Sequence, residues 1–229
     1  MQANQHWHLH HKPGETKHPL TIALSREAGT YGAAIAREVG NRLGWPVYDS
    51  ELLQRIAEDL GIRRDLLKSV DERHVGWLTE CLEAFSSSPT LSQTGYLRHL
   101  LETLLALAAR GDCIIVGRGA TKVLPMATTL RVRVVGPLEH RIEAVRREHG
   151  ISHEEAARQV ETTDRERDRF VRDHFNMDPT DPRNYDLVLN AVRFSKEECA
   201  ALIIAALDCL RAHQTAARTA HSEKSSATV

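Results

Sequence analysis

The residues of this 229-residue chain that could do chemistry are arginines and small residues at the ends of apolar segments. The stretch SREAGTYG follows an apolar run and places Gly29 and Gly32 just before a helical pattern. Such a turn directs backbone N–H groups and a helix N-terminus at an anion, without any charged side chain. Glycines could equally serve only a tight strand-to-helix connection. The residues predicted to bind phosphate are Ser25, Arg26, Glu27, Ala28, Gly29, Thr30, Tyr31, Gly32, Ala33 and Ala34.

Arg118 is the second candidate, because it stands between two glycines directly after the apolar run CIIV. A long cation at that place has no packing purpose, whereas a phosphate bound at the strand end would meet it. The alternative is an ion pair with a neighbouring carboxylate. We therefore predict a phosphate contact for Arg118.

A third group of arginines lies in DRERDRFVRDHF, residues 164–175. Its members alternate with acidic residues, so one interpretation is a solvated helix with internal salt bridges. Its position just before the final strand favours another interpretation, a mobile arginine flap over a ligand. The arginines of the segment are Arg165, Arg167, Arg169 and Arg172.

Asp49 and Ser50 follow a short strand pattern and precede a helical one. Either residue could simply cap the helix N-terminus. The functional alternative is that Asp49 orients an acceptor or a hydrated Mg²⁺, which takes carboxylate and phosphate oxygens.

These residues need a scaffold that brings strand ends together, and the patterning supplies one. Apolar segments at 20–25, 45–49, 112–117, 130–137 and 185–190 alternate with helical patterns. Strands that are apolar throughout and separated by helices indicate an α/β fold with a parallel sheet covered on both faces. Ligands of such sheets bind at the carboxyl ends of the strands, where the candidate residues lie.

Composition narrows the possible partners. Hydrophobic residues make up 41% and the net charge is -1, so we expect a folded chain that binds neither nucleic acid nor membrane. The N-terminal residues lack a secretory signal, which predicts a cytoplasmic protein. The predicted organisation is a disordered His-rich tail over 1–18, one domain over 19–212 and a disordered tail over 213–229. The scattered cysteines predict neither a disulfide nor a metal site.

Taken together, these segments resemble the cytidylate kinase-like branch of the P-loop nucleoside monophosphate kinases, over roughly residues 20–211. The resemblance rests on TIALSREAGTYGAAIAREVG, CIIVGRGA, LRVRVVGP, the arginine-rich segment and NYDLVLN. It implies a P-loop three-layer sandwich with a five-stranded parallel sheet. It also implies an acceptor-binding helical insert over about 61–95 and an arginine-rich lid over about 160–182.

The resemblance also suggests roles for single residues. Catalysis would fall to Arg26, Arg118 and the lid arginines Arg165, Arg169 and Arg172, and acceptor binding to Asp49, Ser50 and Arg118. The loop departs from a Walker A sequence, because Gly32 stands at the lysine and Ala34 at the threonine. Arg26 stands at the first glycine and could replace the missing cation.

Two functions follow as hypotheses. One is phosphoryl transfer from ATP, with Mg²⁺, to a nucleoside monophosphate such as CMP or to another small acceptor. The other is a non-catalytic module that binds nucleotide or phosphate through a degenerate loop.

Overall fold

The computed structural model describes residues 20–68, 70 and 95–226. The His-rich segment 1–18 and residues 71–94 of the predicted insert lie outside the described residues. Of the insert, the described part includes helix α3 (Leu60–Lys68).

The sheet has five parallel strands in the order β2-β3-β1-β4-β5. Its strands are β1 (Thr21–Arg26), β2 (Val47–Tyr48), β3 (Cys113–Val116), β4 (Thr129–Val135) and β5 (Leu187–Asn190). Each overlaps a segment that the apolar pattern predicts as a strand, although β1 ends one residue later and β4 begins one residue earlier than predicted. The predicted α/β class with a five-stranded parallel sheet is therefore confirmed.

Helices cover both faces of this sheet. Besides α3, they are α1 (Gly32–Leu43), α2 (Ser50–Glu58), α4 (Gly95–Arg110), α5 (Ala120–Val123), α6 (Leu138–His149), α7 (His153–Phe175) and α8 (Lys196–Ser226). A short 3₁₀ helix, Pro182–Asn184, precedes β5. None of the helices in the described ranges is long and apolar enough to span a membrane.

The two faces of the sheet carry different cores. Ile22 and Leu24 pack in one cluster with residues of α1 and α8. Ala23 and Ile115 pack in the other cluster with residues of α2 and α4. Because successive side chains of a strand point to opposite faces, this alternation along apolar strands fixes both layers of helices.

Local signals set where the two longest helices begin. Ser152 and Glu155 form a capping box at the start of α7, and Ser195 and Glu198 exchange the same bonds before α8. Both boxes are predicted by the sequence.

The end of α8 departs from the prediction of a disordered tail from residue 213. In the structure, α8 continues to Ser226. The segment QTAARTAHSEKSS is rich in alanine and contains neither glycine nor proline, so no residue in it stops the helix. Polar composition alone therefore gave a boundary that was too early.

Candidate active site

The side chain of Arg26 crosses the turn between β1 and α1, which we call the phosphate loop (residues 25–34). A Cβ atom at Gly32 would lie 2.7 Å from the Cβ of Arg26, and one at Gly117 would lie 2.6 Å from its Nη1. These distances are shorter than any normal contact, so both glycines leave the space that Arg26 fills. Arg26 thus extends from the start of α1 to the end of β3.

The guanidinium of Arg26 has no ion pair and donates no hydrogen bond within the described part of the chain. Burial and the charge of Arg167 lower its pKa to about 10, although Asp49 opposes this shift. The group is therefore still a cation at neutral pH. A largely buried cation without a carboxylate partner is costly, which points to an anionic ligand as the missing partner.

Arg118 approaches the same space from the end of β3. Its backbone is left-handed (φ 53°), and a Cβ at the following Gly119 would overlap the ring of Phe175. The guanidinium lies 5.3 Å from the ring centroid of Phe170, and Nη2 lies 3.4 Å from Oε1 of Gln54. Its buried Nε has no hydrogen-bond partner among the described residues. Among the described residues, Arg118 does not form the ion pair with a nearby carboxylate that was the alternative interpretation.

Helix α7 turns one arginine toward Arg26. Nη1 of Arg167 lies 3.5 Å from the carbonyl oxygen of Arg26. Burial lowers the pKa of Arg167, and the charge of Asp164 opposes the shift. Arg167 belongs to the predicted lid but is not one of its predicted catalytic arginines.

The three arginines predicted to act as lid residues lie on another face of α7. Arg165 pairs with Glu161, Arg169 with Asp173 at 3.1 Å, and Arg172 with Asp178 at 3.3 Å. Their side chains are 67%, 80% and 53% exposed. They line a groove between α6 and α7, and the salt bridges are those of a solvated helix.

Arg26, Arg118 and Arg167 line one cavity of about 230 Å³. Its lining also includes Ser25, Ser50, Arg133, Asp168 and Tyr185.

Arg133 also lines the cavity, although it is not among the predicted site residues. Arg133 is buried inside β4, with Nη1 3.2 Å from the hydroxyl of Ser25 and 3.4 Å from that of Tyr185. The signal was an arginine within the apolar strand RVRVV, where burial demands polar partners. Burial also raises the pKa of Asp168, against the nearby charges of Arg133 and Arg172.

The predicted acceptor residues lie beside the cavity. Asp49 caps α2, and its Oδ1 accepts a hydrogen bond from the backbone N–H of Leu52 at 3.0 Å. Ser50 lines the cavity itself. The capping role and a role near the ligand are compatible for Asp49, because its charge reaches Arg26.

The site suits phosphates better than it suits a metal held by the protein. Arg26 and Arg118, which form no ion pair within the described ranges, and the start of α1 offer charge and N–H groups to phosphate oxygens. Ala34 offers only a methyl group where a Walker A loop has a hydroxyl. Among the described residues no His, Cys, Asp and Glu cluster could hold a metal ion.

Comparison with known proteins places this arrangement in a family. The model of the cytidylate kinase-like family matches residues 21–193, which is most of the chain and includes every cavity residue named above. The chain belongs to this family. The sequence-based prediction of that family is confirmed.

Two similar proteins are cytidylate kinases, and one solved structure has a similar fold. A cytidylate kinase of Methanopyrus kandleri is 35% identical over 112 residues, covering 45% of this chain and 58% of that protein. A cytidylate kinase of Pyrococcus horikoshii is 24% identical over 85% of this chain and 91% of its own length. An uncharacterized protein from Eubacterium ventriosum shares the fold, with a TM-score of 0.67, 19% identity, and coverage of 83% of this chain and 99% of its own.

Proposed function

We propose that the chain transfers the γ-phosphoryl group of ATP, in an Mg²⁺-dependent reaction, to a nucleoside monophosphate such as CMP or to another small acceptor. Membership of the cytidylate kinase-like family and the names of its curated relatives support this proposal. The observation that carries it is the unpaired Arg26 guanidinium in the phosphate loop, with Arg118 and Arg167 beside it.

Catalysis of phosphoryl transfer depends mainly on positioning and on neutralising charge, because the transition state spreads negative charge over the transferred group. In our proposal Arg26 supplies the cation at the donor phosphates, in place of the Walker A lysine. Arg118, between the cavity and Gln54 of α2, orients the acceptor. Arg167 stabilises charge on the phosphoryl group as it moves between them.

Mg²⁺ would enter this reaction as the complex with ATP. Bound to the nucleotide phosphates, it would neutralise part of their negative charge. Since Ala34 provides no oxygen ligand, we assign the metal no contact with the loop. Asp49, the carboxylate whose charge acts on Arg26, could hold a hydrated ion through water.

The loop sequence also favours a second candidate. Gly32 and Ala34 stand where a Walker A loop has lysine and threonine, which fits a module that binds a nucleotide without turning it over. Arg26, Arg118 and Arg167 would then hold the phosphates of a bound ligand only.

One assay separates the two candidates. Purified protein is incubated with ATP, Mg²⁺ and a panel of nucleoside monophosphates, and the products are separated. We expect a diphosphate product from at least one acceptor, and its loss in Arg26→Ala with the fold intact by circular dichroism. ATP binding without any product, beside a working cytidylate kinase as positive control, would support the binding module instead.

A further inference from the structure

Asp164 of α7 is bound directly to the phosphate loop. Oδ1 of Asp164 accepts a hydrogen bond from the backbone N–H of Ala28 at 2.7 Å. Oδ2 of the same carboxylate accepts from Nη1 of Arg141 at 2.5 Å, and that nitrogen also donates to the carbonyl oxygen of Ala28 at 3.1 Å. Both backbone polar groups of Ala28 are thus held by side chains of α6 and α7.

Arg141 extends this network beneath the loop. It is 9% exposed, its Nε donates to the carbonyl oxygen of Gly136 at 2.9 Å, and the same atom lies 3.3 Å from Oε2 of Glu27. Glu27 in turn accepts from the backbone N–H of Gly136 at 3.1 Å. Gly29 has a φ of 77°, and a Cβ there would overlap the carbonyl oxygen of Arg141. The loop is therefore packed backbone to backbone against α6.

Asp164 lies about one helical turn before Arg167, the arginine of α7 that lines the cavity. Residues three apart on a helix lie on neighbouring positions of one face, so the place of Asp164 fixes that of Arg167. Arg167 then reaches the carbonyl oxygen of Arg26, two residues before Ala28. The phosphate loop is therefore held to α7 at two points, by Asp164 at Ala28 and by Arg167 at Arg26.

We propose that Asp164 and Arg141 are positioning residues that join the phosphate loop and α7 into one unit. Arg167 is then in place before a phosphate arrives, and this part of α7 is a fixed wall of the site. A flap that closes over the ligand, which the arginine-rich sequence favours, would have to break the partly buried charge pair of Arg141 and Asp164. This proposal rests on the proposed function only in requiring a phosphate ligand in the cavity.

Pyrophosphate binding tests the proposal by calorimetry. The loss of a charged hydrogen bond is expected to weaken binding in Asp164→Ala on the order of tenfold or more. Because Asp164 acts partly through Arg167, the double variant Asp164→Ala/Arg167→Ala should lose less than the product of the two single losses. Losses that multiply fully would overturn the proposal. Glu154→Gln, which removes only an exposed pair with Arg158 on α7, is the matched control.

Amide hydrogen exchange gives a readout that is independent of ligand. The N–H of Ala28 should be protected in the full-length protein and should exchange faster in Asp164→Ala, with Asp164→Asn between them because its amide oxygen can still accept. Unchanged protection of Ala28 in Asp164→Ala would also overturn the proposal. If Asp164→Ala fails to fold, Asp164→Asn carries both measurements. A wild-type protein that binds no pyrophosphate but protects Ala28 would contradict the proposed function and leave this link intact.

Discussion

Arg26 and Gly32 occupy one space: a side chain at position 32 would begin 2.7 Å from the Cβ of Arg26. Gly32 has no left-handed backbone, so this close approach is what requires glycine there. The absence of a lysine at position 32 and the presence of an arginine at position 26 are thus one structural feature. In our proposal the loop takes its cation from position 26 instead of position 32, and the charge stays near the ends of β1 and β3.

This exclusion predicts that restoring the lysine alone will fail. We expect Gly32→Lys to lower the free energy of unfolding by about 1 to 3 kcal/mol, the usual cost of overpacking. The double variant Arg26→Gly/Gly32→Lys should recover part of that stability, because it removes the side chain in the way. Chemical denaturation of the two single variants and the double variant measures the interaction. Purely additive changes would mean that the two side chains do not compete.

Arg26 should cost stability in the absence of ligand. Because burial and Arg167 lower its pKa to about 10, folding disfavours its charged form, and this penalty holds at every pH below about 10. We therefore expect Arg26→Met to raise the free energy of unfolding by about 1 kcal/mol at pH 7.5.

The same variant should lose its response to ligand. Pyrophosphate should raise the melting temperature of the wild type and have a much smaller effect on Arg26→Met, since a ligand stabilises only the state that binds it. Arg37→Met, at an exposed position of α1, serves as the control. A destabilised Arg26→Met with an unchanged pyrophosphate response would show that Arg26 is a structural cation.

Two arginines of α7 should differ sharply although they are two positions apart. Arg167→Ala should lower kcat/KM on the order of 100-fold, as expected for one electrostatic contact to a transition state. Arg165→Ala removes an exposed pair with Glu161 and should change stability by about 1 kcal/mol or less. Steady-state kinetics on both variants shows whether Arg167, which lines the cavity, or Arg165, which the sequence predicts as catalytic, contributes to the reaction. Equal losses would favour a role for both faces of the helix.

Asp168 should make anion binding depend on pH. Since burial raises the pKa of this carboxyl, it takes up its proton at a higher pH than an ordinary aspartate. Protonation removes a negative charge from the cavity, so affinity for sulfate, whose charge stays constant, should rise as the pH falls through that pKa. Asp168→Asn should bind sulfate more tightly at pH 7 and lose this dependence. Parallel pH profiles for the two proteins would assign the effect to another group.

The sequence alone determined the α/β architecture and the placement of Arg26 and Arg118 at strand ends. Apolar strands alternating with amphipathic helices indicated the parallel sheet, and the capping boxes at Ser152 and Ser195 marked where two helices begin. The positions of Arg26 and Arg118 at strand ends followed from the same pattern, because parallel strands bring their carboxyl ends to one edge. These features depend on neighbours in sequence.

Tertiary packing decided which arginines meet. Arg165, Arg169 and Arg172 share a helical face by their spacing of four and three residues, whereas Arg167 lies on a different one. Both faces are charged, so the docking of α7, which includes the hydrogen bond of Asp164 to Ala28 and the packing of Ala156 and Val160, determines which of them lines the cavity. Likewise, the space for Arg26 depends on Gly117, which is 91 positions away in the chain and adjacent because β1 pairs with β3. Such neighbours come from strand order and helix docking, which residue patterns along the chain do not encode.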